Sequence, residues 1–334
     1  MKKILLIVSV CGLITGGGIW ATRVGLFDLS VNQLIAKYER PQSKYLDVDG
    51  LRIHYQDEGV GPALLLFHGS FMNLRAWDQV VEKLKHQYRL IRMDQPGVGL
   101  SGGTANHDTA SLTIHEIAHR LLLKLNLKGV TCVGTSSGST VCTNLIAAYP
   151  DLVTQLVVSN APSEVVKVPR SERPLSVRIQ MLISDDILQF RTLWFWQVYY
   201  SYLWGTKSQP TDQLLREYYD FNRRVRALLP LSLYVSNYDV RTKASSKGVS
   251  EVSENRYYNG SKASMRAMAA VDLPTLIIWG LSDPILPPTK LDQFIQSMPN
   301  AIIKVRTLSA VGHYPVLEVP DQFANFINDF LSEQ

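Results

Sequence analysis

The run Gly134-Thr135-Ser136-Ser137-Gly138 follows the apolar stretch Val130–Val133 and precedes helix-forming sequence. At a strand-to-helix turn, G-x-S-x-G projects the central hydroxyl outward from strained backbone, and its flanking glycines allow strand and helix to approach closely. The helix N-terminus beneath the hydroxyl favours developing negative charge. The chemistry this predicts is attack of the Ser136 hydroxyl on a carbonyl. A serine hydroxyl needs a base, and the base needs an orienting group. Asp283, in W-G-L-S-D-P, follows the apolar run Thr275–Trp279, and His313, in V-G-H-Y-P, follows Ile302–Leu308. Both therefore sit just past the carboxyl ends of predicted strands, where parallel sheets bind ligands. Taken singly, these residues read as a helix cap, a loop carboxylate and a surface histidine. In the order Ser, Asp, His, each after its own strand, they point to a nucleophile, an orienter and a base. The run Leu64–Phe67 leads into His68-Gly69-Ser70-Phe71. The backbone N–H of Ser70 is expected to join that of Ser137 as an oxyanion hole, with His68 bracing the loop.

Two other patterns imitate chemistry. His115-Glu116-Ile117-Ala118-His119 has the HExxH form of zinc proteases. Zinc needs a third protein ligand, yet no His, Asp or Glu lies between Leu121 and Pro150. The predicted apolar stripe of this helix runs through Ile114, Ala118, Leu121 and Leu125, which leaves both histidines on its flank toward solvent. Gly97-Val98-Gly99-Leu100-Ser101-Gly102 matches GxGxxG after a strand. A dinucleotide site requires a helix to open inside that motif, whereas Gly103-Thr104-Ala105-Asn106 continues a loop. A tight turn is expected, and no metal or cofactor.

The elements that must position these residues alternate between strand and helix. Tyr45–Val48 and Arg52–Gln56 read as a hairpin about Asp49-Gly50. Strands are expected at Ala63–Phe67, Arg89–Met93, Val130–Val133, Leu156–Ser159, Thr275–Trp279 and Ile302–Leu308, with helices near 74–86, 111–126, 137–148, 289–297 and 321–332. Repeated strand–helix units predict an α/β fold: a mostly parallel sheet with helices on both faces. Residues 163–266 interrupt this alternation and read as an inserted helical lid between core segments 45–162 and 267–334. The lid stretch holds 16 Lys/Arg against 10 Asp/Glu, and 15 of the 31 aromatics. Its basic residues are dispersed apart from Arg223, Arg224 and Arg226, which favours a solvated or lipid-facing surface over nucleic acid. The lid aromatics leave two readings open, an apolar substrate pocket or the lid's own core.

Ahead of this body, Lys2 and Lys3 precede an uncharged run from Ile4 to Thr22. As a helix that run spans about 28 Å, close to a bilayer core. Residues 1–23 are expected to be a transmembrane anchor with a cytoplasmic N-terminus and an exported main domain; a cleaved signal is the alternative. Residues 24–44 form a linker with Val31, Leu34, Ile35 and Tyr38 at helical spacing and Pro41 ending the run. A chain of 334 residues that is 46% hydrophobic excludes disorder, and a single apolar run excludes a polytopic membrane protein. Three widely spaced cysteines, Cys11, Cys132 and Cys142, predict no disulfide framework and no zinc-finger spacing.

Over roughly residues 45–334 the sequence resembles the α/β-hydrolase fold superfamily. The likeness rests on H-G-S-F at 68–71, D-Q-P-G-V-G-L-S at 94–101, G-T-S-S-G-S at 134–139, W-G-L-S-D-P at 279–284 and G-H-Y-P-V-L-E-V-P at 312–320. It implies Ser136 as nucleophile, His313 as general base then acid, Asp283 as the orienter of His313, and 163–266 as a lid between the sixth and seventh strands. Ser139 departs from the Gly or Ala of many members. The linker L-I-A-K-Y-E-R-P-Q-S-K also resembles that of membrane-anchored bacterial members. The expected activity is hydrolysis of small, apolar acyl or aryl carboxylic esters through an acyl-enzyme, without cofactor and without an obligate protein partner. A haloperoxidase-like or C–C bond hydrolase and a non-catalytic ligand-binding protein are the alternatives.

Overall fold

A computed structural model of the chain describes residues 16–102, 112–163, 168–206, 208–224 and 262–333. Eight strands form one sheet: β1 (Lys44–Val48), β2 (Leu51–Gly59), β3 (Ala63–Phe67), β4 (Arg89–Met93), β5 (Val130–Thr135), β6 (Val153–Ser159), β7 (Pro274–Gly280) and β8 (Ile302–Leu308). Their spatial order is β1-β2-β4-β3-β5-β6-β7-β8. β1 and β2 run antiparallel about Asp49-Gly50, where both residues take positive φ as a tight two-residue turn demands. β2 is antiparallel to β4, and every later pairing is parallel. The predicted mostly parallel sheet is thus present.

The central strands are apolar throughout because both faces are covered. Alternation along β3 sends Leu64 and Leu66 into one core, while Leu65 and Phe67 enter the other. The first core includes Trp77, at the end of the 3-10 turn Leu74–Trp77, Val80 of α2 (Asp78–Leu84), and Phe323 and Ile327 of α10 (Pro320–Ser332). The second includes Ile117 and Leu121 of α3 (Ile114–Lys124), Val141 and Leu145 of α4 (Ser137–Ala148), and Phe294 of α9 (Pro288–Gln296). Met268 of α8 (Lys262–Ala269) joins this second core.

The linker helix α1 (Val31–Tyr38) starts with a capping box between Ser30 and Gln33 and buries Leu34 fully. The stretch between β6 and β7 carries α5 (Leu175–Met181), a π-helical turn at Leu182–Leu188, α6 (Leu193–Leu203) and α7 (Asp212–Asn222). In α6 the side chains of Phe195, Trp196, Tyr199 and Tyr200 are buried in the first core. The described part of the insertion thereby spends most of its aromatics on packing.

Residues 16–23 are helical, and residues 1–15, which carry most of the expected membrane span, lie outside the described residues. No helix among the described residues is long and apolar enough to cross a membrane.

The cysteine expectation needs correction. Cys132 and Cys142 form a disulfide, with Cα atoms 5.7 Å apart. The nine residues between them reverse direction at the elbow, so α4 returns its second turn alongside β5. Sequence distance overstated the spatial distance.

Candidate active site

Sheet register brings the site together. Phe67 of β3 lies beside Gly134 of β5, Thr135 beside Ser159 of β6, and Ser159 beside Ile278 of β7. Gly280 of β7 lies beside Leu308 of β8. The loops that follow β3, β5, β7 and β8 therefore leave one edge of the sheet together.

Ser136 sits between β5 and α4 with φ 51° and ψ −127°. Positive φ in a non-glycine residue is costly and persists only where the surroundings impose it. The glycines around it show how. A Cβ at Gly134 would lie 2.5 Å from the Ser139 backbone, and one at Gly138 would lie 2.3 Å from the Phe67 carbonyl oxygen. The Ser136 N–H donates to the Ser159 carbonyl, tying the elbow to β6. Ser139, the departure noted in the sequence, donates its hydroxyl to the Gly134 carbonyl and so staples the turn.

The three predicted residues meet. The Ser136 Oγ is 3.0 Å from His313 Nε2. His313 Nδ1 is 2.6 Å from Asp283 Oδ2. An ionised carboxylate only accepts, so Nδ1 carries the proton and Nε2 is left to accept from the serine. Asp283 is 3% exposed, and its Oδ1 accepts the N–H groups of Ile285 and Leu286. Burial opposes its charge, but His313 and these amides together hold the carboxyl below its ordinary range.

The loop after β3 lies against the elbow: a Cβ on Gly69 would come 3.0 Å from the Ser136 Cβ. Ser70 Oγ is 3.0 Å from Ser137 Oγ, so both predicted oxyanion residues border the nucleophile. The Ser137 N–H opens α4, where the first turn has no intrahelical acceptor. His68 is buried; its Nδ1–H donates to the Gly69 carbonyl and its Nε2 accepts from the Gln95 N–H. Burial pushes its pKa down, as suits a neutral brace.

The two decoys have other employment. Glu116 is the N3 member of a capping box with Thr113. The expected stripe of α3 packs on the second core, with Ala118 and Leu121 buried and Ile114 and Leu125 partly so, and Ile117 and Leu122 widen it. His115 and His119 are both half-buried on the flank of that stripe, and His119 packs on Tyr149 with ring centroids 3.9 Å apart. In the glycine loop, Gly97 and Gly99 both take positive φ, and a Cβ on Gly99 would collide with the Asp94 carboxylate. The turn wraps Asp94, which accepts the N–H groups of Leu74 and Leu100.

Sequence reasoning missed two supporting side chains. Asn160, at the end of β6 with φ 40°, donates to Asp283 Oδ2 at 2.7 Å and accepts the Gly280 N–H. Glu318, 8% exposed, accepts the N–H groups of Gly312 and Tyr314 on either side of His313, and those of Gly205 and Thr206 from the insertion. The His313 N–H itself donates to the Leu203 carbonyl at the end of α6. On the other side, the Tyr200 hydroxyl and the Asn222 amide donate to the Phe71 carbonyl next to Ser70. The insertion thus grips both the histidine loop and the Ser70 loop. A polar residue at a strand end, as Asn160 is, was the one available signal. Glu318 stands inside a motif already singled out.

A family model described as alpha/beta hydrolase fold matches residues 62–320. The chain is 26% identical over 295 residues to a cis-3-alkyl-4-alkyloxetan-2-one decarboxylase of Shewanella oneidensis, covering 86% of this chain and 88% of that one. It is 25% identical over 306 residues to a 2-hydroxy-6-oxononadienedioate/2-hydroxy-6-oxononatrienedioate hydrolase of Burkholderia vietnamiensis, covering 88% and 96%. It is 26% identical over 279 residues to a pimeloyl-[acyl-carrier protein] methyl ester esterase of Nitrosomonas europaea, covering 82% and 97%.

Proposed function

We propose that this chain, which belongs to the alpha/beta hydrolase fold family, is a serine hydrolase that cleaves carboxylic esters of small, apolar acyl or aryl groups. The hydrogen-bonded chain from Ser136 through His313 to Asp283 carries this reading. Ser136 Oγ attacks the ester carbonyl while His313 Nε2 takes its proton. The amides of Ser70 and Ser137 hold the oxyanion of the tetrahedral intermediate. His313 then gives the proton to the departing alkoxide, which leaves an acyl-serine. Water, deprotonated by the same imidazole, releases the acid and restores the serine. Asp283 keeps Nδ1 protonated and steadies the imidazolium throughout.

The full-length relative that is a methyl ester esterase supports the ester class. A second reading, C–C bond hydrolysis with the same three residues, is favoured by the relative that hydrolyses a 2-hydroxy-6-oxo acid. Comparing kcat/KM on p-nitrophenyl esters and on vinylogous diketones separates them, since each reading expects preference for its own substrate. For either, Ser136→Ala should abolish labelling by a fluorophosphonate probe and lower turnover at least ~10³-fold with the melting temperature nearly unchanged. Wild-type protein that resists the probe across pH and detergents sinks both readings.

The uncharged run from Ile4 to Thr22 behind Lys2 and Lys3 supports a membrane-held N-terminus with residues 45–334 on the exported side. The Cys132–Cys142 disulfide suits an oxidising compartment. N-terminal sequencing of the mature protein distinguishes an intact anchor from a cleaved signal.

A further inference from the structure

Thirteen large hydrophobic side chains are exposed among the described residues, and nine of them fall within residues 20–27 and 175–194. Exposed apolar residues scattered singly need no explanation, whereas a contiguous patch does. On α5 and its continuation, Leu175, Ile179 and Leu182 stand at helical spacing on the outer face, while Val177 and Met181 are buried on the inner one. The helix is therefore apolar on both sides, and among the described residues only one side is covered. At its end Ile187 is exposed, and there the N-terminal segment arrives. The Thr22 hydroxyl donates to the Leu188 carbonyl at 2.8 Å, and Arg23 Nε donates to the Ile187 carbonyl at 3.0 Å. Phe27 packs its ring against Phe190 at 5.9 Å. These contacts fuse the insertion's outer face with a second exposed apolar set, Trp20, Val24 and Leu26. Trp194 extends the patch at the other end, lining an open groove of about 480 Å³ with Pro174, Ser176 and Val177. The groove shares no lining residue with Ser136, His313 or Asp283.

We infer that this face docks on the surface of a phospholipid bilayer, with α5 lying in the interface. The inference rests on the membrane-held N-terminus proposed above and extends it to the insertion. Three observations select lipid as the occupant. The fifteen residues preceding the described chain are uncharged from Ile4 onward, and they enter the fold at Trp20, on this face. The Thr22 and Arg23 contacts join the Trp20 end to Ile187 and Leu188, where the face carrying Leu175, Ile179 and Leu182 ends. The polar groups near the patch include the exposed Arg23 and Arg178, whose long stems let the charge reach headgroups while the apolar neighbours go deeper. Arg170 lies nearby as well, paired with Asp186. The insertion also carries the whole basic excess of the chain, 16 cationic against 10 anionic residues over 163–266, which suits an anionic leaflet. Since the insertion also grips the Ser70 and His313 loops, the docked face and the site are joined by one rigid set of helices.

The test uses the full chain with Cys11→Ser and Ile179→Cys, labelled at position 179 with an environment-sensitive nitrobenzoxadiazole dye. The variant's melting temperature is checked against wild type. It is reconstituted into vesicles of phosphatidylethanolamine and phosphatidylglycerol at 3:1, with and without nitroxide-bearing lipid. Docking predicts a blue-shifted dye quenched at least twofold by the nitroxide, and protein that floats with the vesicles. Protein that floats while the dye stays water-like and unquenched overturns the docked face and leaves the anchor standing. Protein that does not float, with an unresponsive dye, overturns both. Efficient disulfide cross-linking of the unlabelled Ile179→Cys protein in detergent, with no response to lipid, assigns the face to a second copy and also overturns the inference. None of these readouts depends on Ser136 chemistry, so they are independent of the esterase reading.

Discussion

Among the described residues, two serine–histidine–aspartate chains can be compared. Ser136, His313 and Asp283 are linked at 3.0 and 2.6 Å. Ser43, His54 and Asp94 are linked at 2.9 and 2.7 Å. In each, Nδ1 faces a buried carboxylate and Nε2 faces a hydroxyl. Yet their surroundings differ. Ser43 belongs to a tight turn and already accepts the Arg40 N–H. Asp94 is the hub of a clasp that gathers the Leu74 and Leu100 amides, and Ser101 bonds the backbone of both His54 and Asp94. Nothing in that clasp is strained at the serine. Ser136, by contrast, is held at positive φ above a helix N-terminus, with the Ser70 loop packed against it. Distances alone do not make a nucleophile. Under the proposed function, the backbone that aims the hydroxyl and the amides beside it are what set the Ser136 chain apart from the Ser43 chain.

Exchanging the carboxylates should give the largest contrast. Asp283→Asn is expected to lower kcat by about 10³–10⁴-fold with little loss of stability, because the imidazole loses its correct tautomer. Asp94→Asn should leave kcat on a soluble ester within a few-fold but cost about 2–4 kcal/mol, a drop of several degrees in Tm, because an NH₂ group replaces an oxygen that accepts buried donors. Steady-state kinetics and thermal melts on the two variants check this. A catalytic collapse in the Asp94 variant would erase the distinction.

A smaller effect is expected at Asn160. Replacing it with glycine keeps the left-handed backbone accessible while deleting the amide that donates to Asp283. A drop in kcat of about tenfold, with KM little changed, is the expected outcome. A change in KM alone would mean that Asn160 shapes binding and not the orienting carboxylate.

Acid stability provides the smallest and most general check. Burial opposes the charge on Asp94, but the His54 hydrogen bond and other partners hold its carboxyl below the ordinary value, and Asp283 is depressed likewise. A depressed folded pKa gives stability that is fully present above the unfolded carboxylate pKa and is lost as pH falls through the folded one. His68, lowered by burial, acts in the same direction at a higher pH: its contribution is present above the ordinary histidine pKa and shrinks as the unfolded chain takes up a proton first. Stability measured by denaturant should therefore decline as pH falls from 7 to 3, and less steeply in Asp94→Asn than in wild type. Equal slopes would show that the clasp is not charged in the folded state.

Much of this was legible in the residue pattern. Buried strands such as Leu64–Phe67 and Thr275–Trp279 betray themselves as short apolar runs, since a parallel sheet covered on both faces tolerates little else. The elbow was legible because its glycines, its serine and the flanking strand and helix all fall within twenty residues. The apolar stripe of α3 is broader than spacing alone indicates, because Ile117 and Leu122 are buried as well as Ala118 and Leu121. The Asn160–Asp283 bond joins residues 123 apart, and no local spacing announces such a pair. The Cys132–Cys142 bridge was missed for the opposite reason: a chain that reverses at the elbow brings together residues that look separated.

By itself the sequence determined the alternation of strands and helices, the residue types able to perform acyl transfer, and their placement after strands, because burial and turn chemistry act over short stretches of chain. Only the tertiary structure decided that Ser43, His54 and Asp94 form a second chain of the same kind, how the insertion clamps the Ser70 and His313 loops, and which apolar side chains are exposed among the described residues. Those outcomes depend on sheet register and packing between distant segments, and no local pattern of residues encodes them.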